Sequence, residues 1–447
     1  MPAAQHHGDT SSDPPHVCLG CGCTCDDINW LAPSLNDSRA CPLGIAWYQQ
    51  PAATGGEAQI EGQEAACEQG IERAYALLAA ARHPLLTGLQ TTTTEAQRAA
   101  CELADSWGAV FDSTSSPLDA DSTIALQTTG ALTATWGEVA QRADLVVLWG
   151  CDLAKTHPRH FERYSLDPSS PWLPRGKADR RVIVIDDHEN QNAEIASSQL
   201  RITPGRHYEA FTALHMALQG LLTDQEREPV EKATGVALAE WRQLAERLQQ
   251  AKFGTLIYGK RLATGFGEGA GALTRCLTEL TRKTRWVAIP AGSPGNPTGA
   301  INVTTWQTGF PLGVRFSQGF PESGREWQTE RLLARGETDL VIVIGENLSA
   351  TLSQPAIEAI SQIPSIVLDW ANTPLTRQAT VWFRTARPAI ECGGSVYRVD
   401  GVPLPLRPPH PSSYPTTESI LRRLVRQEGS DRQNLKGIRP RRLPPGH

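Results

Sequence analysis

The chain has 447 residues, 40% of them hydrophobic and 20% charged, with a formal net charge of −6. At roughly 150 residues per domain this length suggests about three domains. The composition excludes disorder over most of the chain, and the charge balance excludes an electrostatic footprint for nucleic acid.

Five of the ten cysteines fall between Cys18 and Cys41. The polar start, Met1 to His16, lacks the apolar stretch of a secretory signal. No apolar run approaches the roughly 20 residues of a spanning helix. The expectation is a cytoplasmic protein with neither a membrane nor a nucleic-acid partner, in which clustered thiols bind metal rather than form disulfides. A Pro/Gly linker follows at Pro51 to Gly56. Glu64 to Arg82 then places Ala66, Ile71, Ala74 and Leu78 at helical spacing. Pro84 to Gly88 reads as a strand. Thr92 with Glu95 fits a capping box for a helix to about Trp107. Short apolar runs at Ala109 to Asp112, Ala143 to Gly150 and Arg181 to Asp186 predict further strands. Those at Gly254 to Tyr258, Trp286 to Pro290, Asp339 to Gly345 and Pro364 to Asp369 complete the set. A helix is expected from about Gly269 to Lys283. Continuous β-branched runs point to parallel strands covered on both faces, and their alternation with helices to doubly wound α/β units. The Pro-rich Val402 to Pro415 reads as an irregular strap. The tail from Arg422 carries eight Lys/Arg against two Asp/Glu.

Several constellations could carry chemistry. Cys18-x2-Cys21-x3-Cys25, with Cys41 sixteen positions on, suits a cuboidal [4Fe-4S] cluster closed by a distant fourth thiolate. Zinc is the rival, although the second knuckle of a usual zinc site is missing; an empty relic is the third possibility. Cys23 is an extra thiol in the same loop. After a strand, Trp149 to His160 offers Lys155, His157 and Arg159 as phosphate contacts; the alternative is an ordinary loop with a satisfied histidine. Asp186, followed by Asp187-His188, stands where a strand-end carboxylate accepts ribose hydroxyls, or is a solvated strand end. The glycines from Gly265 to Gly271 loosely fit a dinucleotide loop, though a flexible turn fits as well. Gly292 to Ala300 could cradle an anion, with Asn296 and Thr298 as candidate cofactor contacts, or be a plain loop. No G-x-S-x-G elbow, P-loop or H-E-x-x-H is present, which argues against common hydrolases, P-loop NTPases and zincins.

Taken together, these residues resemble one family. Cys18-Leu-Gly-Cys-Gly-Cys-Thr-Cys-Asp-Asp-Ile28 looks like the N-terminal signature of the formylmethanofuran dehydrogenase B subunit, among the molybdopterin oxidoreductases. The likeness continues in order through Asp112-Ser-Thr-Ser-Ser116, Trp149-Gly-Cys, His157-Pro-Arg-His160, Asn296-Pro-Thr-Gly-Ala300, Thr305-Trp306 and Tyr397-Arg-Val-Asp-Gly-Val-Pro403. It implies a formate dehydrogenase-like α/β fold. A Cys-rich domain would occupy 1–55, a discontinuous α/β domain 56–128 and 295–425, a Rossmann-like domain 129–294, and a basic tail 426–447. Cys18, Cys21, Cys25 and Cys41 match the cluster ligands. A molybdopterin or tungstopterin guanine dinucleotide is the family cofactor, and its chemistry is reversible oxidation of a carrier-bound formyl group to CO2. Three departures stand out. Leu118 occupies about the position of the metal-ligating cysteine, and a leucine has no lone pair to give. Ala291-Gly-Ser replaces an Arg-Gly-His, and Asp187-His188 replaces a Pro-Arg. The departures resemble the bacterial branch, the B subunit of the formyltransferase/hydrolase complex, whose partners are the A, C and D-type subunits. The resemblance then implies no catalytic residue in this chain and a redox centre that has been lost.

Overall fold

The computed structural model describes residues 15–115, 130–259, 262, 268–345, 348 and 351–434, leaving aside the side chains of 268–270 and 427–434. Leu118, Gly265 and Gly267 of the glycine run, and the end of the basic tail lie outside the described residues.

Two sheets organise the chain. The first has nine strands. Four come early: β1 (Ala58–Ile60), β2 (Gln63–Ala65), β3 (Pro84–Gly88) and β4 (Val110–Phe111). The second sheet is then built complete from β5 (Leu145–Trp149), β6 (Arg181–Asp186), β7 (Ser198–Arg201), β8 (Phe253–Tyr258) and β9 (Arg285–Pro290). The chain returns to the first sheet with β10 (Val314–Arg315), β11 (Glu322–Ser323), β12 (Leu340–Ile344), β13 (Ser365–Asp369) and β14 (Val381–Arg384). The strand orders are β11-β10-β4-β3-β12-β13-β14-β1-β2 and β7-β6-β5-β8-β9. The five-stranded sheet is all parallel. The nine-stranded one is parallel from β4 to β14, with antiparallel strands at both margins.

The apolar runs explain this layering. Leu340, Ile342 and Ile344 join one core with Leu86, Ile366 and Leu368. Val341 and Val343, one residue out of phase, join another with Leu85 and Val367 on the opposite face. Helices cover both faces, so each strand is apolar on both sides. The second sheet repeats the device: Leu145, Val147 and Trp149 face one core, Val146 and Leu148 the other. Among the described residues no helix is long and apolar enough to cross a membrane.

Three local expectations are corrected. The helix Thr94–Trp107 is capped by Thr93, whose hydroxyl accepts from the Ala96 N–H, and not by Thr92. Glu95 does not close a capping box, because its carboxylate takes the N–H and hydroxyl of Ser395, at 2.9 and 2.7 Å. The strap at Val402 to Pro415 contains β16 (Pro403–Leu406), paired antiparallel with β15 (Gly394–Tyr397). Proline is tolerated there because a two-stranded pair leaves outward positions that donate nothing; Leu404 and Leu406 bury their side chains between the prolines.

Asp369 ends β13 fully buried, and burial pushes its carboxyl up to about 6. The folded state therefore holds the proton more tightly than the unfolded chain. This contribution to stability is intact below about pH 4 and is lost as pH rises to about 6. Asp369→Asn should leave the melting temperature unchanged near pH 4 and raise stability at pH 7 by up to about 3 kcal/mol, at roughly 1.4 kcal/mol per pH unit. Thermal melts of both proteins across pH test this; a difference that is constant with pH contradicts it.

Candidate metal centre

The Cys-rich segment is a tight loop closed at its base. His16 pairs with Ile28. The Cys18 N–H donates to the Cys25 carbonyl at 2.8 Å and the Thr24 N–H to the Cys21 carbonyl at 3.3 Å. Four thiols from this loop, Cys18, Cys21, Cys23 and Cys25, are buried. The fifth, Cys41, caps the helix Pro42–Tyr48, its sulfur accepting from the Gly44 N–H at 3.4 Å. The Gly20 N–H likewise donates to Cys18 Sγ at 3.4 Å. A side chain at Gly44 would begin 3.1 Å from Cys18 Sγ, so glycine lets the helix approach the loop. Trp30 stacks on Tyr48 with ring centroids 4.5 Å apart and completes a small core with Ile28 and Ile390.

Mutual contact sorts the thiols. Cys21 accepts hydrogen bonds from Cys23 and Cys41, which hold it down at about 2. The donors Cys23 and Cys41 are pushed far up by those bonds and by burial. Burial raises Cys18 to about 12. Cys25 is lowered by its bond from Cys23, helped by Arg163 and Arg159. Among the described residues no three of these sulfurs come within 4.8 Å of one another.

The loop is seated on the carboxyl ends of both sheets. Gly22 lies against the loop that follows β9: a Cβ there would meet the Ala291 and Gly292 main chain and stand 2.4 Å from His157 Nε2. The Gly295 N–H donates to the Leu19 carbonyl at 3.1 Å. The Thr156 hydroxyl donates to the Asp152 carbonyl and so meets His157 Nδ1, 2.7 Å away, as an acceptor. His157 therefore donates from Nδ1 and turns Nε2 toward Gly22. His160 sits edge-on to Trp136 at 4.7 Å, and burial lowers it to about 3, as for a neutral core histidine.

The residues expected to hold a cofactor have varied settings. Lys155 is exposed and Thr298 half-buried. Arg159 does not offer the free guanidinium that a phosphate contact needs: it makes a two-pronged bond to Asp27, at 2.9 and 2.8 Å, and a third to Glu162 at 2.8 Å. Arg163 reaches Asp26 at 2.6 Å and also pairs with Asp27. The two carboxylates following Cys25 thus pull both arginines onto the Cys loop. Asp186 accepts from the main-chain N–H groups of Asp187 and His188 and from Asn190. Asp187 is bracketed by His188 at 2.6 Å and His207 at 3.4 Å, and Asp186, Asp187 and His188 bring donor atoms within 4.8 Å of one another.

Asn296 is a knot. Its amide donates to the Thr92 carbonyl, Thr94 Oγ1 and Gln97 Oε1, and its Oδ1 accepts from the Tyr397 N–H at 2.8 Å. Its main chain bonds Gln90 and Gln97. It fastens the turn after β3 to β15. The residues that sequence reasoning missed are Asp26, Asp27, Arg163 and Arg387. The first three left a trace, a pair of acids after the last loop cysteine and an Arg-x3-Arg spacing. Asn296→Ala should cost about 2–4 kcal/mol, because two or more buried groups lose their partners at roughly 1–3 kcal/mol each. Denaturant melts test this, and stability within about 0.5 kcal/mol of wild type contradicts the knot.

Searched against protein-family models, the chain matches none. Among curated proteins, it is 32% identical over 406 residues to the B subunit of the tungsten-containing formylmethanofuran dehydrogenase 2 of Methanocaldococcus jannaschii, covering 88% of this chain and 92% of that one. The protein of the same name from Methanococcus maripaludis is 30% identical over matching shares. The B subunit of the Methylorubrum extorquens formyltransferase/hydrolase complex is 26% identical over 76% of this chain and 88% of that protein. Among solved structures, that complex from Methylorubrum extorquens, determined with methylofuran, superposes with a TM-score of 0.70 at 24% identity, over 84% of this chain and 99% of the matched chain. Acetylene hydratase from Pelobacter acetylenicus superposes with a TM-score of 0.66 at 11% identity, over 94% and 70%. The shared fold is the formate dehydrogenase-like fold of the molybdopterin oxidoreductases. With relatives at 32% and 30% identity along nearly nine-tenths of its length, the chain belongs to the family of formylmethanofuran dehydrogenase B subunits.

Proposed function

We propose that this chain is the B subunit of a formyltransferase/hydrolase-type assembly acting in C1 metabolism on a furan-type formyl carrier, alongside A, C and D-type subunits. Within it the chain is a scaffold that keeps the fold without a molybdenum or tungsten redox site. The observation that carries this reading is the missing thiolate. Leu118 stands where the family's metal-ligating cysteine is expected. Apart from the five thiols of the Cys-rich segment, Cys67, Cys101, Cys151, Cys276 and Cys392 are all buried. Cys101, the nearest in sequence, sits in the core of the nine-stranded sheet, where burial pushes it to about 12.

The other donors support the same reading. A pterin dinucleotide needs free cations and amides for its phosphates and ring. Arg159 is bound to two carboxylates, Asn296 to the turn after β3 and to Tyr397, and Asp186 to its own loop. These three side chains are therefore not free for that cofactor.

The Cys site does fit a metal centre. Cys18, Cys21, Cys25 and Cys41 would hold a [4Fe-4S] cluster. A zinc tetrahedron with bonds of about 2.3 Å needs its sulfurs roughly 3.8 Å apart, closer than any three sulfurs of this set come. Two main-chain N–H groups already point at Cys18 and Cys41, as cluster sulfurs require. When bound, such a cluster carries single electrons; here its role is to cross-link the segment. We read the chain accordingly as a Cys-rich domain at 1–55, an α/β domain at 56–128 and 295–425 enclosing a second at 129–294, and a basic tail from 426, in a cytoplasmic assembly. The second reading, an active molybdenum or tungsten dehydrogenase subunit, is favoured by the 32% identity to a tungsten-containing relative.

The purified assembly should reduce no redox dye with a formylated furan carrier. Leu118→Cys should not gain that activity, because Arg159, Asn296 and Asp186 are also engaged elsewhere. Dye reduction by the wild-type assembly overturns the scaffold reading, and dye reduction by the variant alone shows that one thiolate was the whole loss.

A further inference from the structure

Arg387 is buried, 3% exposed, at the seam between the Cys-rich segment and the nine-stranded sheet. Its guanidinium lies between the rings of Trp47 and Trp370, 4.5 and 4.1 Å from their centroids. Its terminal nitrogens donate to the carbonyls of Trp47, Tyr48 and Gln50, which close the helix capped by Cys41. Among the described residues its Nε–H has no acceptor.

The other buried arginines are accounted for differently. Arg159, Arg384 and Arg398 each pair with a carboxylate, from Asp27, Glu64 and Asp400. Arg180 spreads its donors over the carbonyls of Ala140, Ala143, Leu166 and Pro168. Among the described residues no carboxylate forms an ion pair with the Arg387 guanidinium. The nearby Glu391 instead accepts from the Arg387 main-chain N–H at 2.8 Å. Burial pushes Arg387 down to about 10, and the negative charges that offset this are Glu391 first and then Cys18. A buried cation held in no ion pair is costly. Four thiolates around a [4Fe-4S]2+ core, or around Zn2+, carry a net charge of −2 and add to that offset.

We infer that Arg387 is the charge-balancing residue of the Cys18–Cys41 centre, tying metal retention to the docking of the helix Pro42–Tyr48 on the nine-stranded sheet. This inference rests on the reading that the thiols hold a metal. Its elements fit together: the same guanidinium closes the far end of the helix that Cys41 caps, and its charge reaches Cys18. Arg159 and Arg163 reach the loop from the other side, where they lower Cys25 while pairing with Asp26, Asp27 and Glu162.

The test uses the full chain purified anaerobically with its partners, as wild type, Arg387→Met and Arg387→Lys. Methionine keeps an apolar stem between the two tryptophans and removes the charge; lysine keeps the charge and loses the planar fork. Metal is counted before and after challenge with a chelator, and an iron centre is titrated for its midpoint potential. Arg387→Met should lose metal at least about tenfold more readily, in the range of outer-sphere substitutions at metal sites. Its potential should become more negative, because a reduced cluster carries one more negative charge. Arg387→Lys should restore the potential toward wild type, which a purely mechanical cap would not do. Wild-type retention and potential in Arg387→Met overturn the inference, as do equal changes in the methionine and lysine variants. Should the methionine variant fail to fold, the lysine variant decides: a folded lysine variant that loses its metal overturns the inference. A wild-type chain holding neither iron nor zinc removes the centre itself, and so fails in a way distinct from a charge effect that is absent.

Discussion

Crowding five thiols into one short segment poses a problem of charge, and its solution seats that segment on the rest of the molecule. The Cys-rich segment has only a small core of its own, built around Ile28, Trp30 and its cysteines; so few apolar residues cannot hold a fold by burial alone. It is fixed instead by cations on two sides. Arg159 and Arg163 grip Asp26 and Asp27 from the strand-end loop of the five-stranded sheet. Arg387 grips the end of the helix Pro42–Tyr48 from beyond β14. Asp26 and Asp27 are 39% and 27% exposed, so these pairs are worth less than fully buried ones. Arg159 and Arg163 also offset charge on Cys25, so on the function proposed above, seating the segment and preparing it for a metal are one arrangement.

That arrangement has consequences for the crevice above the two sheets. In open α/β folds, ligands meet the carboxyl ends of the strands. Here those ends are largely spent on internal fastening. Arg159 faces Asp27 and Glu162, Asn296 knots the turn after β3 to β15, and Asp186 holds its own turn. A fold shared with redox enzymes does not bring their chemistry with it. Acetylene hydratase, at 11% identity, shares this architecture, so the fold alone does not name a reaction.

The sequence made the interior legible and the seams illegible. Runs such as Leu145-Val-Val-Leu-Trp149 and Leu340-Val-Ile-Val-Ile344 are long and apolar enough to announce parallel strands, and they lie at the centres of the two sheets. β1 and β2 carry only three residues each, with Gln and Glu among them; β1 forms through pairing with β14 and β2 through pairing with β1, rather than through any pattern of their own. The β15–β16 hairpin was hidden by its prolines. At the site, the grouping of Cys18, Cys21, Cys25 and Cys41 was visible from spacing. The engagement of Arg159 and Asn296 was not, because it depends on partners 132 and up to 204 residues away. Arg387 gave no local signal, since its role comes from two tryptophans and three carbonyls that only the fold brings together.

The central claim, a redox-type fold kept as a metal-stapled scaffold, is tested most directly by counting metals. Iron, zinc, molybdenum and tungsten per chain would be measured in the complex purified anaerobically with its partners. The account predicts about four iron per chain, as for one [4Fe-4S] cluster, with neither molybdenum nor tungsten. Stoichiometric molybdenum or tungsten would contradict it, because a pterin metal would then be held without the thiolate that Leu118 replaces.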